Sequence, residues 1–349
     1  MKKGDVSLVG LNARTGKVEK AYPVKDMLGG PHHRCYRNKA TANFYLAGEE
    51  GIEYIDFETG KLDVHHWLRG ACAYGIMPAN GLIYLPAHAC GCHSNTKLNG
   101  FIALASRDGQ DWGKVALDDR LEKGPAYGQP AKDRKPPSSD SWPVYKHDNR
   151  RSSATPAALP AELTEQWTAR LGGKLTAPVI AEDKVFLAMA DRHTVCCLDA
   201  RSGDLRWRFV ADGRIDTPPS YSAGRLLFGT RSGSVYALTA DRGELAWRFQ
   251  AAPARRNLTA YDQLESAWPV HGTVLVQNGR VYCAAGRSMH LDSGVFVYVL
   301  DADSGRVLQH TRLKADTRPK GEVKGTVLAG ILVGDEQNVF MRNMRLNPD

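Results

Sequence analysis

The sequence lacks any run of about 18 consecutive apolar residues, the length that a membrane-spanning helix needs, so we expect no transmembrane segment. Residues 1–3 lead directly into a repeat-like stretch, which is not the pattern of a secretory signal peptide. A glycine-rich phosphate loop, a Ser-His-Asp order and a zinc-hydrolase motif are also missing. The sequence therefore carries none of these signatures of nucleotide-binding or hydrolytic sites.

Charge of one sign is not concentrated in any segment. The chain has 46 Lys and Arg against 38 Asp and Glu, a net charge of +8, but no stripe of basic and aromatic residues recurs. We therefore expect a solvated surface and no nucleic-acid partner. With 349 residues, 42% of them hydrophobic, the chain is long and apolar enough to bury a large core.

A short signature does recur: Asp or Asn, two variable residues, Thr or Ser, then Gly, often shortly before a Trp. The clearest copy is LDARSGDLRW at residues 198–207, and the looser LTADRGELAW follows 40 residues later at residues 238–247. Other copies, which vary in sequence but are in phase, begin at Leu11, Ile55, Leu104 and Leu300. A strand pair such as GRLLF, residues 224–228, precedes most copies, so one unit is predicted to be a four-stranded antiparallel blade. The repeat predicts an all-β β-propeller of about seven to eight blades.

The repeats predict a single propeller domain over residues 1–349, with two departures from the period. Residues 113–160 are rich in Pro, Lys, Arg and Ser, which predicts a long loop. An insertion at 251–294 lengthens the step between signatures from 40 residues to 62. Residues 330–349 look like a blade cut short, so we expect the chain to begin and end inside a longer protein.

The stretches VCCLDARSGDLRW (195–207) and VYALTADRGELAW (235–247) resemble the propeller repeat of the pyrroloquinoline-quinone (PQQ) type. Quinoprotein alcohol dehydrogenases, which have eight blades, share that repeat with BamB-like outer-membrane assembly proteins. The resemblance is strongest over residues 142–313, and HHRCYRNKAT (32–41) is similar to large propeller proteins of planctomycete-type bacteria. It implies a periplasmic or secreted location. It also implies that three tryptophans pack between neighbouring blades: Trp167, Trp207 and Trp247.

The same resemblance implies a cofactor. In quinoprotein dehydrogenases PQQ stacks between an aromatic ring and a disulfide of adjacent cysteines, with calcium held on acidic oxygens. Cys196 and Cys197 are adjacent, but the aligned repeat has Tyr236 and Ala237 at these positions, inside a strand. We therefore predict that both cysteines, and Cys283, are buried core thiols. No calcium-ligand pattern is evident in the sequence. PQQ is therefore a cofactor that the resemblance alone implies.

Four other cysteines are predicted to approach one face of the propeller. Cys35 and Cys72 precede the inner strands of adjacent blades, and Cys90 and Cys92 lie in a hairpin that ends on the same side. Histidines accompany them: His32, His33, His88 and His93. One interpretation is a zinc or copper site built from Cys35, Cys72, Cys90, Cys92, His88 and His93. Disulfides among the four cysteines, or free thiols, are the alternatives.

The phase of the repeat brings further polar residues to this face. Glu265 and His271 are candidates for a catalytic acid and base, and Arg287 is a candidate for holding an anionic oxygen. Candidate cofactor-binding residues are Thr176, Thr217 and Trp268. The alternative for each of these side chains is that it lines a wet central funnel.

Two classes of function follow. The first is an extracytoplasmic binding or scaffolding module whose face binds a protein, a glycan or a small molecule. The second is a PQQ- or metal-dependent oxidoreductase that acts on an alcohol or sugar at the funnel, with PQQ and calcium, or zinc or copper, as cofactors. The sequence favours the first class, because the residues specific to the dehydrogenases are not found.

Overall fold

The computed structural model describes the chain in twelve stretches. They are residues 6–24, 37–48, 51–65, 68–91, 100–106, 113–129, 138, 140–260, 263–289, 291–314, 329–342 and 344–346. Two short 3-10 turns, Leu117–Arg120 and Ala190–Arg192, accompany strands that pair antiparallel throughout. No helix within these stretches is long and apolar enough to cross a membrane.

The chain divides into two compact units. Residues 1–110 with 316–326 form the first, and residues 111–315 with 327–349 form the second. The first unit contains a hairpin, a four-stranded sheet and a three-stranded sheet. Their strands are β1 (Val6–Leu11), β2 (Val18–Val24), β3 (Lys39–Ala40), β4 (Phe44–Ala47), β5 (Ile52–Asp56), β6 (Leu62–His65), β7 (Met77–Ala79), β8 (Leu82–Leu85) and β9 (Ile102–Ala105). Leu46, Ile52, Leu68, Ile76 and Leu85 form the buried core of this unit.

The second unit contains the sheets with the clearest signature copies. Sheet order is β11-β12-β13-β14, then β10-β18-β17-β16-β15, then β21-β22-β23-β24, then β25-β26-β27, with β19-β20 as a separate hairpin. The strands up to β18 are β10 (Leu121–Lys123), β11 (Val179–Ala181), β12 (Lys184–Met189), β13 (Thr194–Asp199), β14 (Leu205–Val210), β15 (Ser220–Ser222), β16 (Arg225–Gly229), β17 (Ser234–Thr239) and β18 (Leu245–Gln250). The others are β19 (Asn257–Ala260), β20 (Gln263–Ser266), β21 (Leu275–Gln277), β22 (Arg280–Ala285), β23 (Val295–Asp301), β24 (Val307–Leu313), β25 (Leu332–Gly334), β26 (Val339–Met341) and β27 (Met344–Arg345).

The recurring signature is the turn between the third and fourth strands of a sheet. The Asp199 carboxylate accepts hydrogen bonds from the backbone amides of Arg201 (2.8 Å) and Ser202 (3.0 Å), which folds the chain back on itself. Gly203 completes the turn at a φ of 76°, a conformation that favours glycine. The period in the sequence is therefore the period of this turn.

Three tryptophans each contact the signature turn of a sheet that follows in the chain. The indole N–H groups of Trp167, Trp207 and Trp247 donate to the backbone carbonyls of Ala200 (3.0 Å), Ala240 (3.2 Å) and Ala302 (3.1 Å), respectively. Each acceptor lies in the signature turn of the following sheet. A buried aromatic ring that bonds across the gap contributes both apolar area and register between the two sheets.

The predicted fold class is confirmed: the chain is all-β, with antiparallel four-stranded sheets of the propeller-blade type. The prediction that Cys196, Cys197 and Cys283 are buried is also confirmed. The segment 113–160, expected to be a long loop or insertion, contains β10, which pairs with β18. Gly124 and Pro125, which follow directly, gave this three-residue strand the appearance of a turn. The insertion at 251–294 contains the hairpin β19-β20.

Candidate functional site

Five charged side chains of the second unit form a continuous series of ion pairs, here called the arginine-carboxylate cluster. Its members are Arg214, Asp216, Arg231, Glu265 and Arg287. Arg214 and Asp216 lie between β14 and β15, Arg231 lies in the β16-β17 hairpin, and Arg287 follows β22. In antiparallel sheets these connections lie at the same end, which is why residues distant in sequence meet.

Guanidinium groups bind both carboxylates of the cluster from two sides. Arg214 Nε donates to Asp216 Oδ1 at 2.6 Å, and Arg231 Nε donates to Asp216 Oδ2. Arg231 Nη1 lies 2.8 Å from Glu265 Oε2, and Arg287 Nη2 donates to Glu265 Oε1. Each of the four carboxylate oxygens thus has its own guanidinium partner, an arrangement that gives strong, directional hydrogen bonds.

The Glu265 side chain is 0% exposed, and the four other members of the cluster are partly buried. Burial on its own would raise the pKa of Asp216, but the hydrogen bonds from Arg231 and Arg214 outweigh it and lower that pKa below the ordinary value. Burial likewise opposes the charge of Arg231, and Glu265 and Asp216 reverse the effect and raise its pKa. The network is therefore stable only as a complete set of charges.

His271, the second catalytic candidate, lies beside the cluster. Burial lowers its pKa, and the positive charges of Arg231 and Arg287 lower it further. Its Nε2 is 3.3 Å from the Ala329 carbonyl oxygen, so Nε2 carries the hydrogen of a neutral ring. The structure thus brings Glu265, Arg287 and His271 together. The Glu265 side chain is 0% exposed, however, and both of its oxygens face arginines, so a substrate has no direct access to it in this arrangement.

The three candidates for cofactor binding make backbone contacts instead. Thr176 Oγ1 accepts from the Ala188 amide at 2.9 Å, and Thr217 Oγ1 donates to the Gly272 carbonyl at 3.3 Å. The indole of Trp268 is buried and donates to the Asp292 carbonyl at 2.7 Å. A buried ring that packs in the core offers no face on which a planar ligand can stack.

Three of the predicted cysteine and histidine ligands lie in the described part of the first unit. Cys72 Sγ and Cys90 Sγ are 3.9 Å apart and are not bonded to each other. His88 Nε2 lies 2.9 Å from the Arg69 carbonyl, and His88 Nδ1 accepts from the Cys90 amide at 3.2 Å. Both nitrogens of this ring are therefore engaged with the protein. Cys35, Cys92, His32, His33, His93 and His290 lie outside the described residues.

The residues present do not fit PQQ. Successive side chains of a strand point to opposite faces, so Cys196 and Cys197, both within β13, do not present a paired sulfur surface. Burial raises the pKa of both thiols, that of Cys197 to about 12. Within the stretches that the structure describes, no group of three or more His, Cys, Asp or Glu side chains could hold a metal ion.

Arg214, Asp216 and Arg231 were not predicted from the sequence. The signal was available, because Arg231 occupies the same hairpin position in its blade as Cys90 does in another. Arg214 and Asp216 also lie directly before Thr217, which was a candidate. The period of the repeat thus marks these charged positions in every blade.

A family model described as outer membrane protein assembly factor BamB matches residues 157–345, more than half of the chain. The chain is 29% identical over 162 residues to "Alcohol dehydrogenase (quinone), dehydrogenase subunit" of Komagataeibacter europaeus, which covers 43% of this chain and 21% of that protein. The protein of the same name from Gluconacetobacter polyoxogenes is 30% identical over 136 residues, 36% of this chain and 18% of its own length. The matched region thus spans about a fifth of these relatives.

Among solved structures, BamB from Moraxella catarrhalis matches with a TM-score of 0.28 and 14% identity over 88% of this chain and 90% of that one. A europium-containing methanol dehydrogenase matches with a TM-score of 0.41 and 14% identity, over 50% of this chain and 32% of that one.

Proposed function

The chain belongs to the family of the outer membrane protein assembly factor BamB, and from this membership we propose that it is an extracytoplasmic binding and scaffolding module. The observation that carries the proposal is the saturation of the arginine-carboxylate cluster. Asp216 and Glu265 are each held by two arginines, so the best-placed acids of the second unit serve the protein's own structure. An assembly factor of the outer membrane works outside the cytoplasm, which supports the location.

We place the binding face at the loops that carry the cysteines and histidines. Cys72, His88 and Cys90 cluster there, and both cysteine sulfurs lie within 3.9 Å of one another. A covalent link between such loops would fix their shape for a partner. Membership of the family favours a protein as the partner. A glycan or a small molecule is the alternative.

The alternative is a PQQ- or metal-dependent oxidoreductase that acts on an alcohol or a sugar. Similarity to two dehydrogenase subunits favours it. The separation of Cys196 from Cys197 across β13 and the occupied Glu265 count against it. Repeat similarity of this kind transfers a fold more securely than an activity.

The test is an activity assay on the full chain after incubation with PQQ and Ca²⁺. Oxidation of primary alcohols and of aldose sugars is followed with an artificial electron-accepting dye. We expect no turnover above that of the protein heated to unfolding, and sustained turnover would overturn the proposal.

A second arm tests binding directly. The chain is tagged in the cells that produce it, cross-linked before lysis and purified under denaturing conditions. We expect a defined adduct heavier than the 38.3 kDa chain that contains an envelope protein in fixed proportion. Recovery of the uncross-linked chain alone would contradict a scaffolding role.

A further inference from the structure

The outer strand β18 carries an additional strand from elsewhere in the chain. β10 pairs antiparallel with β18, with Leu121 opposite Phe249 and Glu122 opposite Arg248. Glu122 Oε2 accepts from Arg248 Nε at 3.0 Å, and Leu121 packs against the core. The protein thus extends one of its own sheets with a strand in which an apolar residue is followed by an acidic one.

The outer strand of the preceding repeat, β14, has almost the same sequence as β18. β14 reads LRWRFV and β18 reads LAWRFQ, so Arg208 corresponds to Arg248. No strand of the described residues pairs with the outer edge of β14. Leu205 is 50% exposed and Val210 is 67% exposed. Strand edges of this kind, with unpaired backbone groups, are sites at which extended segments add to a sheet.

The two edges also present the same backbone pattern. Trp207 lies opposite Cys197 on the inner side of β14, as Trp247 lies opposite Ala237 on the inner side of β18. On β18 the Ala246 carbonyl accepts from the Gly124 amide at 2.9 Å, so alternate residues from Ala246 bond outward, and their equivalents in β14 are Arg206 and Arg208.

The positive charges along the outer edge of β14 favour a segment that carries a negative charge. Within the described stretches Arg208 is exposed and has no ion-pair partner, whereas the equivalent Arg248 pairs with Glu122. Arg206 adds a second positive charge on the same edge, next to Asp199, with which it pairs. The outer strand β24, VLQHTRL, has His310 at the position equivalent to Arg208, so the pattern is specific to β14.

The geometry points to the outer edge of β14 as a docking site for an extended segment of a partner protein, one with an apolar residue followed by an acidic residue. The segment adds as an antiparallel strand, as β10 does on β18. Its acidic side chain pairs with Arg208, and its backbone bonds to Arg206 and Arg208. β14 belongs to the second unit and the cysteine and histidine loops to the first, so the inference stands whether or not those loops bind a partner.

The test uses a probe copied from the chain itself, a fluorescent peptide DRLEKGPA that corresponds to residues 119–126. Fluorescence anisotropy with the full chain is expected to show saturable binding. Arg208→Glu is expected to weaken it at least tenfold. Arg201→Glu, at an arginine of the same blade that is 82% exposed, is the matched control and is expected to leave it unchanged. A peptide with Lys in place of its Glu is expected to prefer the Arg208→Glu protein.

Hydrogen exchange locates the peptide. We expect slower exchange at the amides of residues 206 and 208 only when the peptide is present. Equal binding to the wild-type and Arg208→Glu proteins would overturn the inference. Amides 206 and 208 that are already protected in the free chain would overturn it too, because its own residues would then cover the edge. A concentration-dependent dimer that Arg208→Glu dissociates would also overturn it, since the occupant would be a second copy.

Discussion

Trp207 lies against Gly243 so closely that a Cβ on residue 243 would be 2.5 Å from the indole Cε3. The same contact recurs between Trp167 and Gly203, at 2.5 Å, and between Trp247 and Gly305, where the nearest indole atom is at 2.6 Å. A tryptophan packed against the glycine of the following signature turn is therefore a recurring contact, made at all three positions although the number of residues between the two differs.

Gly243→Ala is expected to destabilise the protein by about 2–4 kcal/mol, because it adds a clash with the indole to a strained positive φ. Gly279→Ala is the matched control, since Gly279 has a φ of 71° with nothing within 4 Å. Urea unfolding compares the two variants with the wild type. Equal losses would mean that backbone strain alone accounts for the effect and that the indole contact contributes nothing.

The arginine-carboxylate cluster gives a second stability prediction. Glu265→Gln leaves two buried guanidinium groups without their shared counter-charge, so the free energy of unfolding should fall by about 3–5 kcal/mol. Glu336→Gln breaks an exposed pair with Arg150 and should cause no measurable change. A Glu265→Gln protein as stable as the wild type would show that the network is not a structural unit.

The blade and its signature turn can be predicted from the sequence because each rests on local chemistry. Asp199, Ser202 and Gly203 encode one turn within a few residues. β10 could not be predicted in this way, since this strand of three residues forms only through pairing with β18, more than a hundred residues away. Pairings of this kind leave no period in a sequence.

The candidate site was predicted in part for the same reason. The phase of the repeat placed Glu265, His271 and Arg287 at one end of the sheets, and the structure brings them together. The phase of the repeat could not show that Arg231 also pairs with Glu265, because the packing of neighbouring sheets determines which side chains form ion pairs. A residue's place in a blade is encoded locally, whereas its partner is not.

His271 should make stability depend on pH. Its pKa in the folded protein is lowered by burial, Arg231 and Arg287 from an ordinary value of about 6.5. Below pH 6.5 the unfolded chain therefore binds a proton that the folded chain does not, so stability falls as pH decreases towards the folded-state pKa.

His271→Gln should remove this contribution, which is at most about 1.4 kcal/mol per pH unit. The measurement is the free energy of unfolding in urea at a series of pH values between 7 and 5. His310→Gln, at an exposed histidine, should retain the wild-type slope. Identical slopes for His271→Gln and the wild type would contradict the buried, neutral state of His271.

The proximity of Cys72 and Cys90 predicts a disulfide under oxidising conditions. With oxidised glutathione, one thiolate forms a mixed disulfide and the other displaces glutathione from it. Two protein thiols thus become one disulfide, and two molecules of reduced glutathione are released. Peptide mapping should find residues 72 and 90 linked, and Cys72→Ser should abolish the link.

Cys196 and Cys197 are the internal control for this reaction. Burial raises the pKa of both thiols, so they should resist alkylation and oxidation in the folded protein. Linkage of Cys90 to Cys35 or Cys92 instead of Cys72 would contradict the assignment.

Binding of PQQ itself tests the central claim most directly. Isothermal titration of the full chain with PQQ in the presence of Ca²⁺ should show no saturable heat, because Cys196 and Cys197 are not paired and the oxygens of Glu265 are occupied. A quinoprotein alcohol dehydrogenase freed of its cofactor serves as the positive control. Saturable, calcium-dependent binding to this chain would contradict the account and favour an oxidoreductase.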